Sequence, residues 1–308
     1  MRRHPLRRLA LAGSLLFRPV CLPTGLTGQP ARPPITVDVH LVVVPVTVTD
    51  GAGAVVTGLK QEHFRVFEDK APREIVSFAS EDTPASVGLL IDVSGSMRST
   101  SARVRAAARA LLESLGPDDE AFLLTFSSRP ETVVEFTSEP RVIHDRLLQA
   151  RFGGRTSLMD AVQHALGRMR SARHSRKAMV IVSDGMDNFS RYSRGELMGR
   201  VAEADVQVHA LAVQEPPINH KLIELRVQRQ GLSLLEDLAG ASGGLYFPVR
   251  NEAEAPPAAR QIGRVLHDQY LLGYYTPRAA GGKWRRIQVK VDLPHAHAYA
   301  RSGYLAPD

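Results

Sequence analysis

Hydrophobic and polar residues alternate with a period of two at the start of the chain. TVDVHLVVVPVTVT (residues 36–49) shows the alternation on both sides of Pro45, and FRVFED and EIVSF continue it across a turn predicted over Lys70-Ala71-Pro72. This pattern predicts antiparallel β structure. Because proline cannot donate a hydrogen bond to a neighbouring strand, we expect Pro45 at a sheet edge or a bulge.

Short apolar runs then alternate with segments of helical spacing. SVGLLID (residues 86–92) and AMVIVSD (178–184) have the composition of strands buried on both faces, and STSARVRAAARALLESL (99–115) has the spacing of a helix. This alternation predicts an α/β fold with a doubly wound, mainly parallel sheet. The period returns to two after Asp268. We therefore expect an α/β domain over residues 84–266, inserted between β segments 35–83 and 267–308. One β-sandwich built from both segments is preferred, with two separate β pieces as the alternative.

The first residues have the form of a secretory signal. MRRHPLRR precedes the apolar run LALAGSLLF, which is too short to span a bilayer, so residues 1–31 are expected to be removed. That segment holds five arginines and no acid, so its loss takes the formal net charge from +7 to about +2. The only cysteine, Cys21, leaves with it. We expect a periplasmic or extracellular protein without a membrane span.

Three oxygen-bearing side chains follow one of the buried strands. In LLIDVSGSMRST, Asp92, Ser94 and Ser96 lie at the carboxyl end of the strand, where ligands bind in open α/β sheets. Mg²⁺ takes about six oxygen ligands at roughly 2.1 Å, and waters fill the positions that protein atoms leave. The alternative is a simple helix cap, since Asp and Ser are favoured at helix N-termini.

Two further loops favour a metal site over a cap. FGGRTSLMDAV places Thr156 just before a helix, and VIVSDGMDN places Asp184 after another buried strand. In a doubly wound sheet these loops and the Asp92 loop lie on the same edge.

DVSGSM, the TSLMDA segment and SDG resemble the metal-ion-dependent adhesion site of the von Willebrand factor A domain family, which integrin I domains share. The flanking VPVTVTDGAG and QYLLGYYTP segments resemble bacterial exported proteins related to that family. The resemblance implies that the hydroxyls of Ser94 and Ser96 bind Mg²⁺, or Mn²⁺ or Ca²⁺ in its place, with Thr156 bound directly or through water. Asp92 and Asp184 would hold coordinating waters, and one position would stay open for an Asp or Glu of a partner protein.

Arg155 departs from the family pattern, which has a small residue before the threonine. Its side chain either narrows the site, contacts the partner's acid, or is an ordinary solvated loop residue.

Asp187 is expected to cap a turn and Asp160 to make a supporting contact. His295 and His297 could share a strand face but lack a third ligand. The basic run 168–177 is expected to be a solvated surface without nucleic-acid binding, because no aromatic residues accompany it.

A protein-binding, adhesion-type module is therefore the preferred function. A structural module with a stabilising or degenerate metal site is the alternative, and a metal-dependent hydrolase the least favoured. No enzyme is expected, because the sequence lacks a G-x-S-x-G nucleophile elbow between a strand and a helix, and the three loops lack a histidine to act as general base.

Overall fold

Three β-sheets and six α-helices make up the described part of the chain. The computed structural model describes residues 39–80, 82–214, 222–277 and 282–306, so the predicted leader lies outside the described residues. The strands are β1 Val39–Thr49, β2 Phe64–Glu68, β3 Ala71–Arg73, β4 Ile75–Ala79, β5 Ala85–Asp92, β6 Glu120–Phe126, β7 Pro130–Thr137, β8 Arg176–Ser183, β9 Gln207–Val213, β10 Tyr246–Val249, β11 Tyr270–Pro277, β12 Trp284–Val291, β13 His297–Tyr299 and β14 Gly303–Leu305. The helices are α1 Ser101–Leu112, α2 Pro140–Leu148, α3 Leu158–Met169, α4 Arg194–Glu203, α5 Leu222–Ser242 and α6 Ala255–His267.

The central sheet has six strands in the order β10-β9-β8-β5-β6-β7. Neighbouring strands are parallel except β6 and β7, which are antiparallel. Every residue of β5 is buried, because helices cover both faces of the sheet. Helices α1, α2 and α6 pack on one face and α3, α4 and α5 on the other. The predicted α/β class with a mainly parallel sheet is confirmed.

Strands from both ends of the chain form the two other sheets, in the orders β13-β1-β11-β4 and β14-β12-β2-β3. All paired strands in them are antiparallel. One hydrophobic cluster joins them, with Val44 and Tyr270 from the first sheet and Val66 and Ile287 from the second. The two terminal segments thus share a single core, as expected for a β-sandwich.

Pro45 lies where β1 has a partner on one side only. β1 pairs with β11 over Val39–Val46, whereas β13 pairs with it only from Thr47 onward. Pro45 therefore lies on a stretch of β1 that has no second partner strand among the described residues, and the predicted edge position is confirmed.

Several local predictions were wrong. The turn after β2 is centred on Asp69 and Lys70, whose φ values of 49° and 71° match a two-residue hairpin loop, and Ala71–Arg73 is a strand. Strand β7 was not predicted, because PETVVEFT is only partly buried and alternates weakly. Helix α6 was not predicted either, since its two early prolines suggest a loop although proline is tolerated in the first helical turn. None of the described helices has both the length and the apolar character needed to cross a bilayer.

Candidate metal centre

Three loops meet at the carboxyl edge of the central sheet. We call them the Asp92 loop (residues 92–100), the Thr156 loop (150–157) and the Asp184 loop (184–193). The backbone N–H of Gly95 donates to the carbonyl of Gly154 at 3.0 Å, and that of Gly153 donates to Val93 at 2.7 Å. These two bonds join the Asp92 loop to the Thr156 loop. The sheet and its connections therefore bring these sequence-distant loops together.

Asp92 is fully buried at the end of β5. Its Oδ1 accepts the backbone N–H of Ser94 at 2.9 Å, and its Oδ2 accepts the hydroxyl of Ser183 at 2.6 Å. Burial and the nearby negative charge of Asp184 raise the pKa of Asp92 to about 7, although the hydrogen bonds from Ser183 and Ser94 act in the opposite direction. The ionised form of Asp92 is thus unfavourable in the protein alone, and no Lys or Arg of the described residues forms an ion pair with it.

Ser94 and Ser96 present adjacent hydroxyls. Their Oγ atoms are 3.1 Å apart. Ser94 is buried, whereas Ser96 is exposed. One donor oxygen thus sits inside the protein and the other opens to solvent.

Thr156 connects the second and third loops. Its N–H donates to Oδ1 of Asn188 at 3.0 Å, and its carbonyl accepts the N–H of Asn188 at 3.0 Å. Its side chain is buried. Among the described residues its hydroxyl has no hydrogen-bond partner, so this oxygen is available to a ligand.

Asp184 begins the third loop and is partly exposed. Its Oδ1 accepts the N–H of Met186 at 2.9 Å. Between them, Gly185 has a φ of +77° and packs so closely on Gly231 of α5 that a side chain at either glycine would overlap the other's backbone. The path of the Asp184 loop is therefore set by contact with α5.

The donor set fits a hard divalent cation. All five predicted side chains carry oxygen, and a bound cation stabilises a buried carboxylate such as that of Asp92. Asp92 and Asp184 are the only carboxylates among the five, and the described residues hold no group of three or more His, Cys, Asp or Glu that could bind a metal. A cation here would therefore depend on hydroxyls and water.

Sequence reasoning missed the residues that connect the loops. The Ser183 hydroxyl bonds to Asp92 and also accepts the N–H of Gly185 at 3.0 Å. Asn188 ties the Asp184 loop to Thr156. Ser183 directly precedes Asp184 in the quoted motif, so its position at a strand end was a usable signal. Nothing in the local sequence indicates that Gly231 touches Gly185.

The other candidates lie outside the centre. The Asp187 carboxylate accepts the N–H groups of Phe189 and Ser190 and so caps its own turn, and it also accepts the N–H of Met159 in the first turn of α3. Asp160 accepts the N–H of Arg191 at 2.8 Å. His295 has a φ of 58° and precedes β13, so it does not share a strand with His297, and both are exposed. The basic run 168–177 spans the end of α3 and the start of β8, at the opposite edge of the sheet.

Two arginines lie on the rim of the centre. The guanidinium of Arg155 lies over the ring of Phe189, 5.0 Å from its centroid, and Phe189 itself is 45% exposed. Nη2 of Arg98 donates to the carbonyl of Phe152 at 3.2 Å. Both arginines are exposed.

The geometry agrees with the comparison to known proteins. Residues 87–186 match the family model described as von Willebrand factor type A domain. This match contains the five predicted site residues, and the chain therefore carries a von Willebrand factor type A domain. No curated protein matches the chain.

Several solved structures align with this chain. A von Willebrand factor type A protein from Catenulispora acidiphila aligns with a TM-score of 0.50 at 12% identity, covering 88% of this chain and 74% of that chain. BatB from Bacteroides thetaiotaomicron aligns at 20% identity over 59% of this chain and 98% of that chain, with a TM-score of 0.46. Proximal thread matrix protein 1 from the mussel byssus, in a form with a zinc-occupied MIDAS motif, aligns at 14% identity. The alignment covers 66% of this chain and 50% of that chain, with a TM-score of 0.49.

Proposed function

We propose that this protein is an exported binding module that holds a divalent cation and captures an acidic side chain of a partner protein through it. The cation would be held by Asp92, Ser94, Ser96, Thr156 and Asp184. The observation that carries the proposal is the meeting of three loops at one sheet edge, with oxygen donors and buried negative charge between them. Mg²⁺ is the preferred ion, with Mn²⁺ and Ca²⁺ as alternatives.

The chemistry follows from the donors. When bound, the cation supplies an electron-poor centre with a position open to a carboxylate, because Ser94, Ser96 and Thr156 contribute neutral oxygens. Asp92 and Asp184 act in this scheme by holding waters. Binding rather than catalysis is proposed, since the three loops contain no histidine to transfer a proton.

Export is part of the proposal and rests on the leader-like residues 1–31. The proposed division of the chain places the binding domain at residues 84–266. The segments 35–83 and 267–308 would then support it from the edge of the sheet opposite the metal centre.

Capture from an envelope extract tests the function. Immobilised protein should retain a partner in the presence of Mg²⁺ and release it with EDTA, and the Asp92→Ala variant should retain none. Asp145→Ala is the matched control, because Asp145 is an exposed residue of α2. Capture that survives both EDTA and Asp92→Ala would overturn the proposed mechanism.

A structural role for the cation is the second candidate, and the buried negative charge of Asp92 beside Asp184 favours it. A cation that only neutralises this charge would raise the melting temperature. Partner capture would then be the same with and without EDTA.

A further inference from the structure

The arginines on the rim lie at the two junctions between the site loops. Arg98 contacts Phe152 and lies beside Gly153, where the Asp92 loop meets the Thr156 loop. Arg155 lies over Phe189, where the Thr156 loop meets the Asp184 loop. One positive charge therefore lies at each of these two junctions.

Within the described part of the chain, neither guanidinium is neutralised. Among the described residues, no carboxylate forms an ion pair with Arg98 or Arg155. Arg98 donates only to a backbone carbonyl, and Arg155 is held by the face of an aromatic ring. Other exposed arginines of the same domain do have acids, such as Arg109 with Glu113 at 2.7 Å.

We propose that Arg98 and Arg155 bind additional carboxylates of the partner, so that the captured segment is a run of acidic residues and not a single Asp or Glu. This inference rests on the proposed function, because it assumes that the central acid is bound by the cation. The flanking acids would then contact one arginine each. The exposed ring of Phe189 holds the Arg155 side chain in place, which lowers the entropy lost on binding.

Exposed ion pairs are individually weak, and each arginine is expected to contribute about threefold to fivefold in affinity. Together they should favour a triacidic segment over a single acid by about tenfold. Because both pairs are exposed, this preference should shrink as the salt concentration rises.

Synthetic peptides test the inference. The probes are glycine-serine peptides. The single-acid peptide has one central aspartate, and the triacidic peptides have one further aspartate on each side of it, two or three positions away. Binding is measured by fluorescence anisotropy in 1 mM Mg²⁺ or EDTA. The triacidic peptides should bind wild type about tenfold more tightly than the single-acid peptide. Arg98→Gln and Arg155→Gln should each reduce the ratio, and the double variant should abolish it. The control Arg170→Gln, at the distant end of α3, should leave it unchanged.

A charge reversal separates recognition from a loss of folding. Arg155→Glu should weaken the triacidic peptides and strengthen a peptide whose central aspartate is flanked by lysines, which a misfolded protein could not do. Equal, EDTA-sensitive binding of single-acid and triacidic peptides would overturn the inference and support the proposed function. Arginine-dependent binding that ignores EDTA would support the acid contacts and overturn the metal mechanism. Mg²⁺-independent binding of heparin without any triacidic preference would overturn the inference in favour of a sulfated glycan.

Discussion

The hydroxyl of Ser183 donates a hydrogen bond of 2.6 Å to the buried carboxylate of Asp92. The same oxygen accepts the N–H of Gly185 at 3.0 Å, so one side chain connects two of the three site loops. Groups that orient the residues around a metal commonly affect its affinity by about tenfold to a hundredfold.

The Ser183→Ala variant should therefore bind Mg²⁺ about tenfold or more weakly, as measured by calorimetry, while its circular dichroism spectrum stays unchanged. Ser171→Ala is the control, because the Ser171 hydroxyl bonds only to the carbonyl of Arg168 at the far end of α3. Equal affinities of the two variants would show that the Ser183 bond does not organise the site.

The contact between Gly185 and Gly231 predicts that alanine at position 231 destabilises the protein, although alanine usually stabilises a helix relative to glycine. The Gly231→Ala methyl would lie 2.6 Å from the carbonyl carbon of Gly185, so the Asp184 loop must shift. We expect a loss of about 1–3 kcal/mol in the free energy of unfolding, and weaker metal binding as well.

Gly240 provides the comparison within the same helix. It is exposed and a Cβ there meets nothing within 4 Å. Gly240→Ala should therefore stabilise the protein by about 0.5 kcal/mol through helix propensity. Urea unfolding of both variants checks the prediction, and a stabilised Gly231→Ala protein would contradict it.

A buried acid holds the β-sandwich together. Four side chains donate hydrogen bonds to the fully buried Glu68: Arg73 at 3.0 Å, Thr276 at 2.7 Å, Arg285 at 2.7 Å and Tyr304 at 3.1 Å. Glu68→Gln removes the charge that both arginines require, so the unfolding free energy should fall by about 3 kcal/mol.

Glu62→Gln, at an exposed position, should change stability by less than about 0.5 kcal/mol. Because Glu68 belongs to the sandwich, folded Glu68→Gln protein should keep its Mg²⁺ affinity within about twofold. A large loss of metal affinity would show that the sandwich controls the site.

Stability should also depend on pH through His267. Its Nδ1 bonds to Asp82 at 2.8 Å, and its Nε2 lies 3.1 Å from Asp119. The guanidinium of Arg176 also faces it, bonded to its carbonyl at 3.0 Å. The contact with Asp119, followed by that with Asp82, raises the pKa of His267 above its usual value of 6.5 against the effect of burial.

A histidine whose pKa is raised in the folded protein stabilises the fold fully when the pH is below its pKa in the unfolded chain. This contribution is lost as the pH rises through its pKa in the folded protein. The urea midpoint of wild type should therefore fall from pH 6 to pH 9 more than that of His267→Gln. Parallel pH profiles would show that the charge of His267 is not coupled to folding.

How far the sequence predicts this structure depends on how local each signal is. The apolar run ending at Asp92 and the turn chemistry after Asp184 are local, and both elements are where they were expected. Helix α6 has two prolines in its first turn, before its hydrophobic face begins, and strand β7 is half exposed. The local sequence pattern therefore predicted neither element. The Gly185–Gly231 contact and the Ser183–Asp92 bond join residues far apart in the chain, and only the packed fold reveals them.

The central claim is that the five loop residues hold one divalent cation. Mn²⁺ binding followed by electron paramagnetic resonance tests it most directly, with Mg²⁺ as competitor and with Asp92→Asn and Asp184→Asn as variants. We predict one Mn²⁺ per chain, displaced by Mg²⁺ and lost or strongly weakened in both variants, while Asp145→Asn binds as wild type does. Absence of stoichiometric Mn²⁺ binding, or binding that neither Asp92→Asn nor Asp184→Asn weakens, would contradict the account.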